Sequence, residues 1–341
     1  MRLSGIFKTT VQMMAVVTTS VIALTSGAWA EVGATWDEIV AKAKEEGRVN
    51  FYSIMPPAQN EALVEAFSKE YPEIKVVTVR GAGELPGRVA AEKAAGADGA
   101  DVISLADPAW FTENQADFIE LKGPAIDAYP KDHWIVEPKV ANISYGPLGF
   151  IVWNTDRLPE GLKSWDDLLD PKLKGKVGAR EGMTATLAGY LEFLRDAIGE
   201  EKFAALGKQD LRFYPSTVPL TQAVAAGEVW AGSSGNIATL LQLVDQGAPI
   251  DYVYPEPSFA NPQAGGALNY SKRPNAAIVF MDFALSRAGQ TAVNHHQLGG
   301  SPLEGIEDSV PLERFKILDP TRFTQAVRDE WQVIFDKTMR P

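Results

Sequence analysis

Residues 145–154 read Tyr145-Gly146-Pro147-Leu148-Gly149-Phe150-Ile151-Val152-Trp153-Asn154, a turn followed by a short apolar run. Such a run is typical of a buried strand. It lies near the middle of the chain, where an alternation of strands and helices stops and then begins again. We predict that this strand carries the chain from one α/β lobe into another, with a ligand site between the lobes. Taken alone, the stretch fits a core strand of one large domain equally well.

Residues 1–30 predict a secretory signal peptide. Arg2 and Lys8 are basic, residues 11–24 are mostly apolar, and residues 28–30 (Ala-Trp-Ala) fit the small-x-small rule for cleavage. A membrane anchor is the competing interpretation, but the apolar run is short and is interrupted by hydroxyl residues. We therefore expect cleavage after Ala30 and a periplasmic protein.

The composition of the chain narrows the possible partners. The 341 residues include 32 basic and 44 acidic side chains, a formal charge of −12, which argues against nucleic acid or anionic lipid. The length exceeds the size at which single hydrophobic cores usually stop growing, so two lobes are expected. The absence of cysteine excludes disulfides, thiolate metal sites and a cysteine nucleophile. We predict a monomer with a small-molecule ligand and no cofactor.

Apolar strands alternate with amphipathic helices on both sides of residues 145–154, which predicts an α/β fold with mostly parallel sheets flanked by helices. The predicted strands span residues 48–53, 74–79, 100–105, 176–179, 211–214, 250–254 and 263–270. The predicted helices span residues 35–44, 59–71, 85–97, 184–197, 217–226, 236–246, 274–285, 288–296 and 321–337. The predicted division is lobe 1 at 31–147 and 261–310, lobe 2 at 148–260, and a C-terminal helical tail at 311–341.

Several catalytic and cofactor motifs are incomplete in this sequence. The glycines of residues 80–87 do not match the dinucleotide-binding spacing, and a tight loop that brings backbone amides to a ligand is the better interpretation. Residues 232–235 do not form the serine elbow of α/β hydrolases. His133, His295 and His296 have no metal-ligand spacing. A secreted Ser/His/Asp hydrolase using His133 remains an alternative.

Three loops of small polar residues open onto predicted helices in the second half of the chain. They are residues 181–184, 214–217 and 233–236. Each loop by itself is compatible with an ordinary helix N-cap. Together, the three loops predict that free amides and hydroxyls converge on an anion.

Seven motifs in order resemble one protein family over almost the whole chain after residue 30. The motifs are residues 49–53, 100–103, 149–154, 165–168, 171–176, 222–229 and 275–290. The chain resembles the type II periplasmic substrate-binding proteins of ABC transporters. Within that group it is similar to the branch of the ferric-iron binders and their relatives for phosphonates, sugar phosphates and polyamines. The resemblance implies a two-lobed clamp whose lobes are joined by crossing strands and whose ligand passes to a membrane permease.

The resemblance does not extend to the ferric-ion ligands. The family's tyrosine pair falls on Ile237 and Ala238, its histidine on Pro56, and its glutamate on Ala106. Ferric ion prefers hard anionic oxygen donors, so these departures argue against direct iron binding. A ferric-iron or polyamine binder of the same fold stays as an alternative, as does a sensory subunit that presents its closed form to a membrane kinase.

The anion-binding half of the family's site is better matched. It implies Met183 and Thr184 at a helix N-terminus, Ser216 or Thr217, and Asn236, and it suggests a ligand that is itself a small carboxylate, phosphonate or phosphate ester. Arg80, Arg88 and Arg180 could bind it through charge-assisted hydrogen bonds, or could be surface arginines. Asp107 could pair with an amino or hydroxyl group and Trp110 could wall the cleft, or they could be a helix cap and a core residue. The predicted ligand-binding residues are Ser53, Arg80, Asp107, Trp110, Arg180, Met183, Thr184, Ser216, Thr217, Asn236 and Tyr270.

Overall fold

The computed structural model describes residues 31–81 and 83–340. The predicted signal peptide and its cleavage after Ala30 lie outside the described residues. Within the described ranges, no helix combines the length and the apolar character that a membrane span requires.

Twelve strands and twelve α-helices are assigned in the described residues. The strands are β1 (Arg48–Ser53), β2 (Lys75–Arg80), β3 (Val102–Leu105), β4 (Trp134–Val136), β5 (Val140–Gly149), β6 (Ile151–Asn154), β7 (Val177–Arg180), β8 (Arg212–Tyr214), β9 (Ala231–Gly232), β10 (Ile250–Val253), β11 (Ser258–Ala267) and β12 (Phe315–Ile317). The helices are α1 (Trp36–Glu46), α2 (Pro57–Glu70), α3 (Leu85–Ala95), α4 (Pro108–Glu113), α5 (Pro124–Asp127), α6 (Ala185–Ile198), α7 (Glu200–Gly207), α8 (Thr217–Ala225), α9 (Ile237–Asp245), α10 (Pro274–Leu285), α11 (Arg287–Asn294) and α12 (Gln325–Met339). Short 3-10 turns span Gln115–Asp117, Lys131–His133, Trp165–Leu169, Pro171–Leu173, His295–Gln297, Leu312–Arg314 and Pro320–Arg322.

The first sheet has the order β2-β1-β3-β11-β5-β4, with β12 beside β11. Helix α10 packs against it so closely that all twelve of its residues are buried. The rings of Phe51 on β1 and Phe67 on α2 both lie against Phe280 of α10, with centroids 4.9 and 5.2 Å away. This aromatic cluster forms the centre of the first core.

The second sheet has the order β10-β6-β9-β7-β8 and is covered on both faces. Side chains of β6 alternate between the faces, as expected of a strand. Ile151 and Trp153 join a core with α6, α7 and α12, whereas Val152 joins a core with α8 and α9, as does Phe150, which immediately precedes β6. The alternation explains why residues 150–153 are apolar without interruption.

The crossing strand predicted at residues 145–154 is confirmed. Strand β5 belongs to the first sheet and β6 to the second, with Phe150 alone between them. Strand β11 runs antiparallel along β5, from Phe259 opposite Gly149 to Gly266 opposite Val140. The two-lobed α/β fold is therefore as predicted.

The sheets are mixed rather than mostly parallel. Of the ten strand pairings described, five are antiparallel, and each of these involves β5, β6 or β11. Strands β5, β6 and β11 carry the chain between the lobes. Each of them lies between two neighbouring strands and runs antiparallel to both, except that β11 is also parallel to β12. The periodicity of apolar residues predicts where strands lie, but it does not predict whether neighbouring strands run parallel or antiparallel.

The predicted C-terminal helical tail is helical only in part. Residues 315–317 form β12, parallel to β11 in the first sheet, because Phe315 is buried there against Tyr254. Helix α12 then packs on the second lobe through Trp331, Phe335 and Met339. The boundaries of the two lobes at residues 147/148 and 260/261 remain a proposal.

Candidate ligand-binding cleft

A cavity of about 190 Å³ opens between the two sheets. The wall on the side of the first sheet consists of Ile54, Pro56, Gln59, Arg80, Gly146, Pro147, Leu148, Asn261, Gln263 and Leu298. The wall on the side of the second sheet consists of Arg180, Thr186, Leu187, Tyr190, Thr217, Ser234, Gly235, Asn236 and Ile237. The two crossing strands β5 and β11 thus form the base of a cleft whose walls belong to different lobes.

Three helices begin at the second wall. Helix α6 contributes Thr186, α8 contributes Thr217, and α9 begins beside Asn236. The Oδ1 atom of Asn236 accepts a hydrogen bond of 2.9 Å from the amide of Thr239, and so caps α9. Because free amides give a helix N-terminus a partial positive charge, three such termini make this wall attractive to an anion. Of the three polar loops predicted to converge, residues 214–217 and 233–236 contribute side chains to this wall, whereas residues 181–184 precede α6 without lining the cleft.

Arg180 is the charged group of the second wall. It ends β7, and its side chain is half-buried, with Nη2 donating to Oγ1 of Thr184 at 3.2 Å. Desolvation lowers the pKa of Arg180, against a smaller opposing effect of the Tyr190 hydroxyl. No ion pair to Arg180 occurs among the described residues. A desolvated cation without a counter-charge is unfavourable, and a bound anion would offset that cost.

Arg80 stands on the opposite wall at the end of β2. Its side chain is exposed, and Nε donates to the carbonyl of Met55 at 3.3 Å. Arg88, the third candidate arginine, is not in the cleft. It pairs with Glu92 at 2.9 Å and lies over the ring of Tyr52 on the surface of α3. Two of the three candidate arginines therefore face the cleft.

Amide side chains complete the first wall, and sequence reasoning missed them. Gln59 is fully buried at the start of α2, where its Nε2 donates to the carbonyls of Val293 and Leu298 at 3.0 and 3.4 Å. The Oε1 atoms of Gln59 and Gln263 have no hydrogen-bond partner within the described ranges. Asn261 lies two residues before Gln263 on β11. Alternation along β11 was the available signal for these two positions, but no local pattern marks Gln59.

The sequence model of the bacterial extracellular solute-binding proteins matches residues 57–296, most of the chain. The chain belongs to this family. One relative of this solute-binding protein is an uncharacterized protein of Haemophilus influenzae. It is 28% identical over 282 residues, which cover 74% of this chain and 77% of the relative.

Solved structures show the same fold at low sequence identity. Iron-bound HitA from Pseudomonas aeruginosa is 20% identical, covers 85% of this chain and 99% of its own, and superposes with a TM-score of 0.60. The periplasmic binding protein AfuA from Actinobacillus pleuropneumoniae, with exogenous fructose-6-phosphate bound, is 21% identical. It covers 86% of this chain and 99% of its own, with a TM-score of 0.58. The fold of this solute-binding protein therefore carries chemically different ligands in other proteins.

Four of the predicted ligand-binding residues line the cleft: Arg80, Arg180, Thr217 and Asn236. Three more lie beside it without lining it, namely Met183, Thr184 and Ser216. The Oγ1 atom of Thr184 accepts the hydrogen bond from Arg180, and it also accepts one from the amide of Leu187 at 3.1 Å. Ser216 precedes α8 and makes no side-chain cap hydrogen bond. Direct ligand contact by these three residues remains a prediction.

The other four predicted residues are placed elsewhere in this solute-binding protein. Ser53 is fully buried and accepts from the amide of Met55 at 3.1 Å. Asp107 caps α4 by accepting from the amide of Trp110 at 3.1 Å. Trp110 and Tyr270 line a separate hollow of about 410 Å³. The structure thus does not bring these four side chains to the cleft.

The groups that a ferric site or a hydrolase would need are not assembled in the described part of the chain. No cluster of three or more His, Asp or Glu side chains suited to a metal occurs there. Tyr190 is the tyrosine that lines the cleft, but its hydroxyl donates to the carbonyl of Ser233 and burial raises its pKa. Nδ1 of His133 lies 2.8 Å from the hydroxyl of Tyr145. Among the described residues, no hydrogen bond joins a histidine ring to a serine hydroxyl.

Proposed function

We propose that this solute-binding protein captures a small organic anion in the cleft and delivers it to the membrane permease of an ABC importer. The ligand class is a carboxylate, a phosphonate or a phosphate ester. The observation that carries the proposal is Arg180, a desolvated guanidinium that lines the cleft without a carboxylate partner in the described ranges.

The rest of the lining supports an anion over a cation. The part of the cleft lining that the structure describes contains two arginines and no aspartate or glutamate. A polyamine would bring positive charge against Arg80 and Arg180, and the described lining holds no carboxylate to offset it. An anion would instead gain charge-assisted hydrogen bonds from the guanidinium groups and dipolar stabilisation from the starts of α6, α8 and α9.

The position of the cleft supports a clamp mechanism. Its walls come from both lobes, so a ligand that contacts Arg180 on one wall and Arg80 on the other stabilises a closed arrangement. Strands β5 and β11 join the lobes and would accommodate the closing movement. The closed form is the one that a permease would recognise.

A thermal-shift screen tests the proposal. It compares small carboxylates, phosphonates, phosphate esters, polyamines and ferric citrate, because a ligand at 100 times its Kd adds about 2.7 kcal/mol of stability. We expect shifts with a subset of the anions, loss of those shifts in Arg180→Gln, and retention in Arg88→Gln, the control on the surface of α3. Stabilisation by polyamines alone, or an unchanged response in Arg180→Gln, would contradict the proposal.

A further inference from the structure

Glu181 follows Arg180 directly in sequence, yet the two side chains form no ion pair. The carboxylate of Glu181 instead pairs with Nη2 of Arg340, which follows α12 and lies 159 positions further along the chain. The amide of Glu181 donates to the carbonyl of Tyr214 at 2.9 Å, which fixes the backbone at the end of β7. The acidic side chain next to Arg180 in sequence is therefore already paired with Arg340, a cation far away in sequence.

Arg340 is held in place by more than its ion pair. Its guanidinium lies over the ring of Phe213 at 4.6 Å and over the ring of Phe335 at 5.3 Å. Phe335 and Met339 are buried in the second core, and both line a small hollow together with Arg180. The end of α12 is thus packed next to Arg180 on the second wall of the cleft. The two rings fix the position of the Arg340 guanidinium relative to Glu181.

The carboxylate of Glu181, the residue next to Arg180, could compete with an anionic ligand for the Arg180 guanidinium. Attached to the same chain, it would act at a high effective concentration, so that even a weak pairing would reduce the affinity for a free anion. The unpaired negative charge would also repel an anion from the cleft. Pairing with Arg340 counters both effects.

We propose that Arg340 is a positioning residue for the anion site: it holds the carboxylate of Glu181, so that Arg180 stays available to the ligand. The proposal rests on the anion-binding function of Arg180 and adds to it a residue at the opposite end of the chain. It assigns α12 and the residue after it a role in affinity as well as in the packing of the second lobe.

A double-mutant cycle tests this role with Arg340→Ala, Glu181→Gln and the double variant, titrated by calorimetry with inorganic phosphate and with citrate. We expect Arg340→Ala to weaken binding by about tenfold, the order of one charged hydrogen bond. We expect the double variant to regain most of the loss, because glutamine does not compete as an anion. Circular dichroism confirms that each variant is folded. Equal weakening in Arg340→Ala and in the double variant would mean that Arg340 acts through packing alone, and would overturn the proposal.

A crystal structure of the ligand-free Arg340→Ala protein provides a readout that needs no anion. We expect the carboxylate of Glu181 to move within ion-pair distance of the Arg180 guanidinium. A carboxylate that stays away from Arg180 would refute the positioning role even if anions bind. Failure of every anion to bind the unmodified protein would instead refute the proposed function, so the two failures are distinguishable.

Discussion

Arg80 and Arg180 are the last residues of β2 and β7, strands of two different sheets, and they line the same cleft from opposite walls. Their surroundings differ. Arg80 is exposed and keeps most of its hydration, whereas Arg180 is half-buried and desolvated. The two guanidinium groups are therefore expected to contribute unequally to binding.

We expect Arg180→Gln to weaken the binding of an organic anion by about 2 kcal/mol, the order of a hydrogen bond to a charged group. We expect Arg80→Gln to have a smaller effect on affinity and a larger relative effect on the association rate, because an exposed charge chiefly steers the encounter. Calorimetry and stopped-flow fluorescence at two salt concentrations measure both quantities. Equal losses of affinity in the two variants would show that the difference in burial is irrelevant to the ligand.

The helix caps at the second wall should affect both binding and stability. Thr184→Ala combined with Asn236→Ala removes the side chains that cap α6 and α9, and we expect a loss of about 2 kcal/mol in stability together with weaker anion binding. Thr35→Ala is the control, since it removes the capping box of α1, which contributes nothing to the cleft lining. We expect the control to lose stability and keep its affinity. The role of the caps in binding would be falsified if the double variant also kept its affinity.

Two glycine-to-alanine changes should act in opposite directions. A Cβ at Gly207 of α7 would lie 1.7 Å from the carbonyl oxygen of Thr338 on α12, so Gly207→Ala must displace α12 and destabilise the fold. A Cβ at Gly87 of α3 meets no atom within 4 Å, so Gly87→Ala should stabilise the helix by up to about 1 kcal/mol. Urea unfolding measures both changes. A stabilised Gly207→Ala protein would contradict the close packing of α7 on α12.

Asp282 should give the fold a distinct pH dependence. Burial raises its pKa to about 6 from the ordinary 3.8, although the amides of Ile126 and Ala125 oppose this by hydrogen bonding to its carboxylate. The folded state then binds the proton more tightly than the unfolded state, so the unfolding free energy decreases as the pH rises from about 4 to about 7. Asp282→Asn removes this dependence and keeps an oxygen acceptor for both amides.

We therefore expect the unfolding free energy of Asp282→Asn, relative to that of the unmodified protein, to increase by on the order of 2 kcal/mol between pH 4 and pH 7.5. Urea titrations at four pH values measure the difference. A difference that stays constant with pH would rule out the raised pKa.

Sequence reasoning predicted the second wall of the cleft better than the first. The loops that precede α6, α8 and α9 were recognisable because small polar residues follow apolar strands, and these are local patterns. The first wall depends on β11, whose neighbours β3 and β5 lie far away in sequence. Alternation along β11 places Asn261 and Gln263 on one face, but no local pattern shows which strands β11 lies between, so these two residues were not identified as cleft residues.

The same limitation explains the position of Tyr270. Strand β11 runs antiparallel to β3, with Ala267 opposite Val102 at the start of β3. Tyr270 follows the end of β11 and therefore lies near the beginning of β3, whereas Asp107 follows its end. A parallel arrangement, which the alternation of strands and helices suggested, would have placed both residues at one edge of the sheet.

Three neighbouring segments connect the two lobes: β5 into β6 through Phe150, the start of β11, and the chain that leaves β12. The third segment is joined to β11 by a hydrogen bond of 2.7 Å from the amide of Leu318 to the carbonyl of Ala260. A single connecting strand would let the lobes twist and slide as well as bend. A hydrogen-bonded ribbon of three resists twisting and sliding, because those movements would break its ladder, and it bends about one axis. Closure of the proposed clamp would therefore follow a single bending axis, so that the residues of the two walls would meet in a reproducible register.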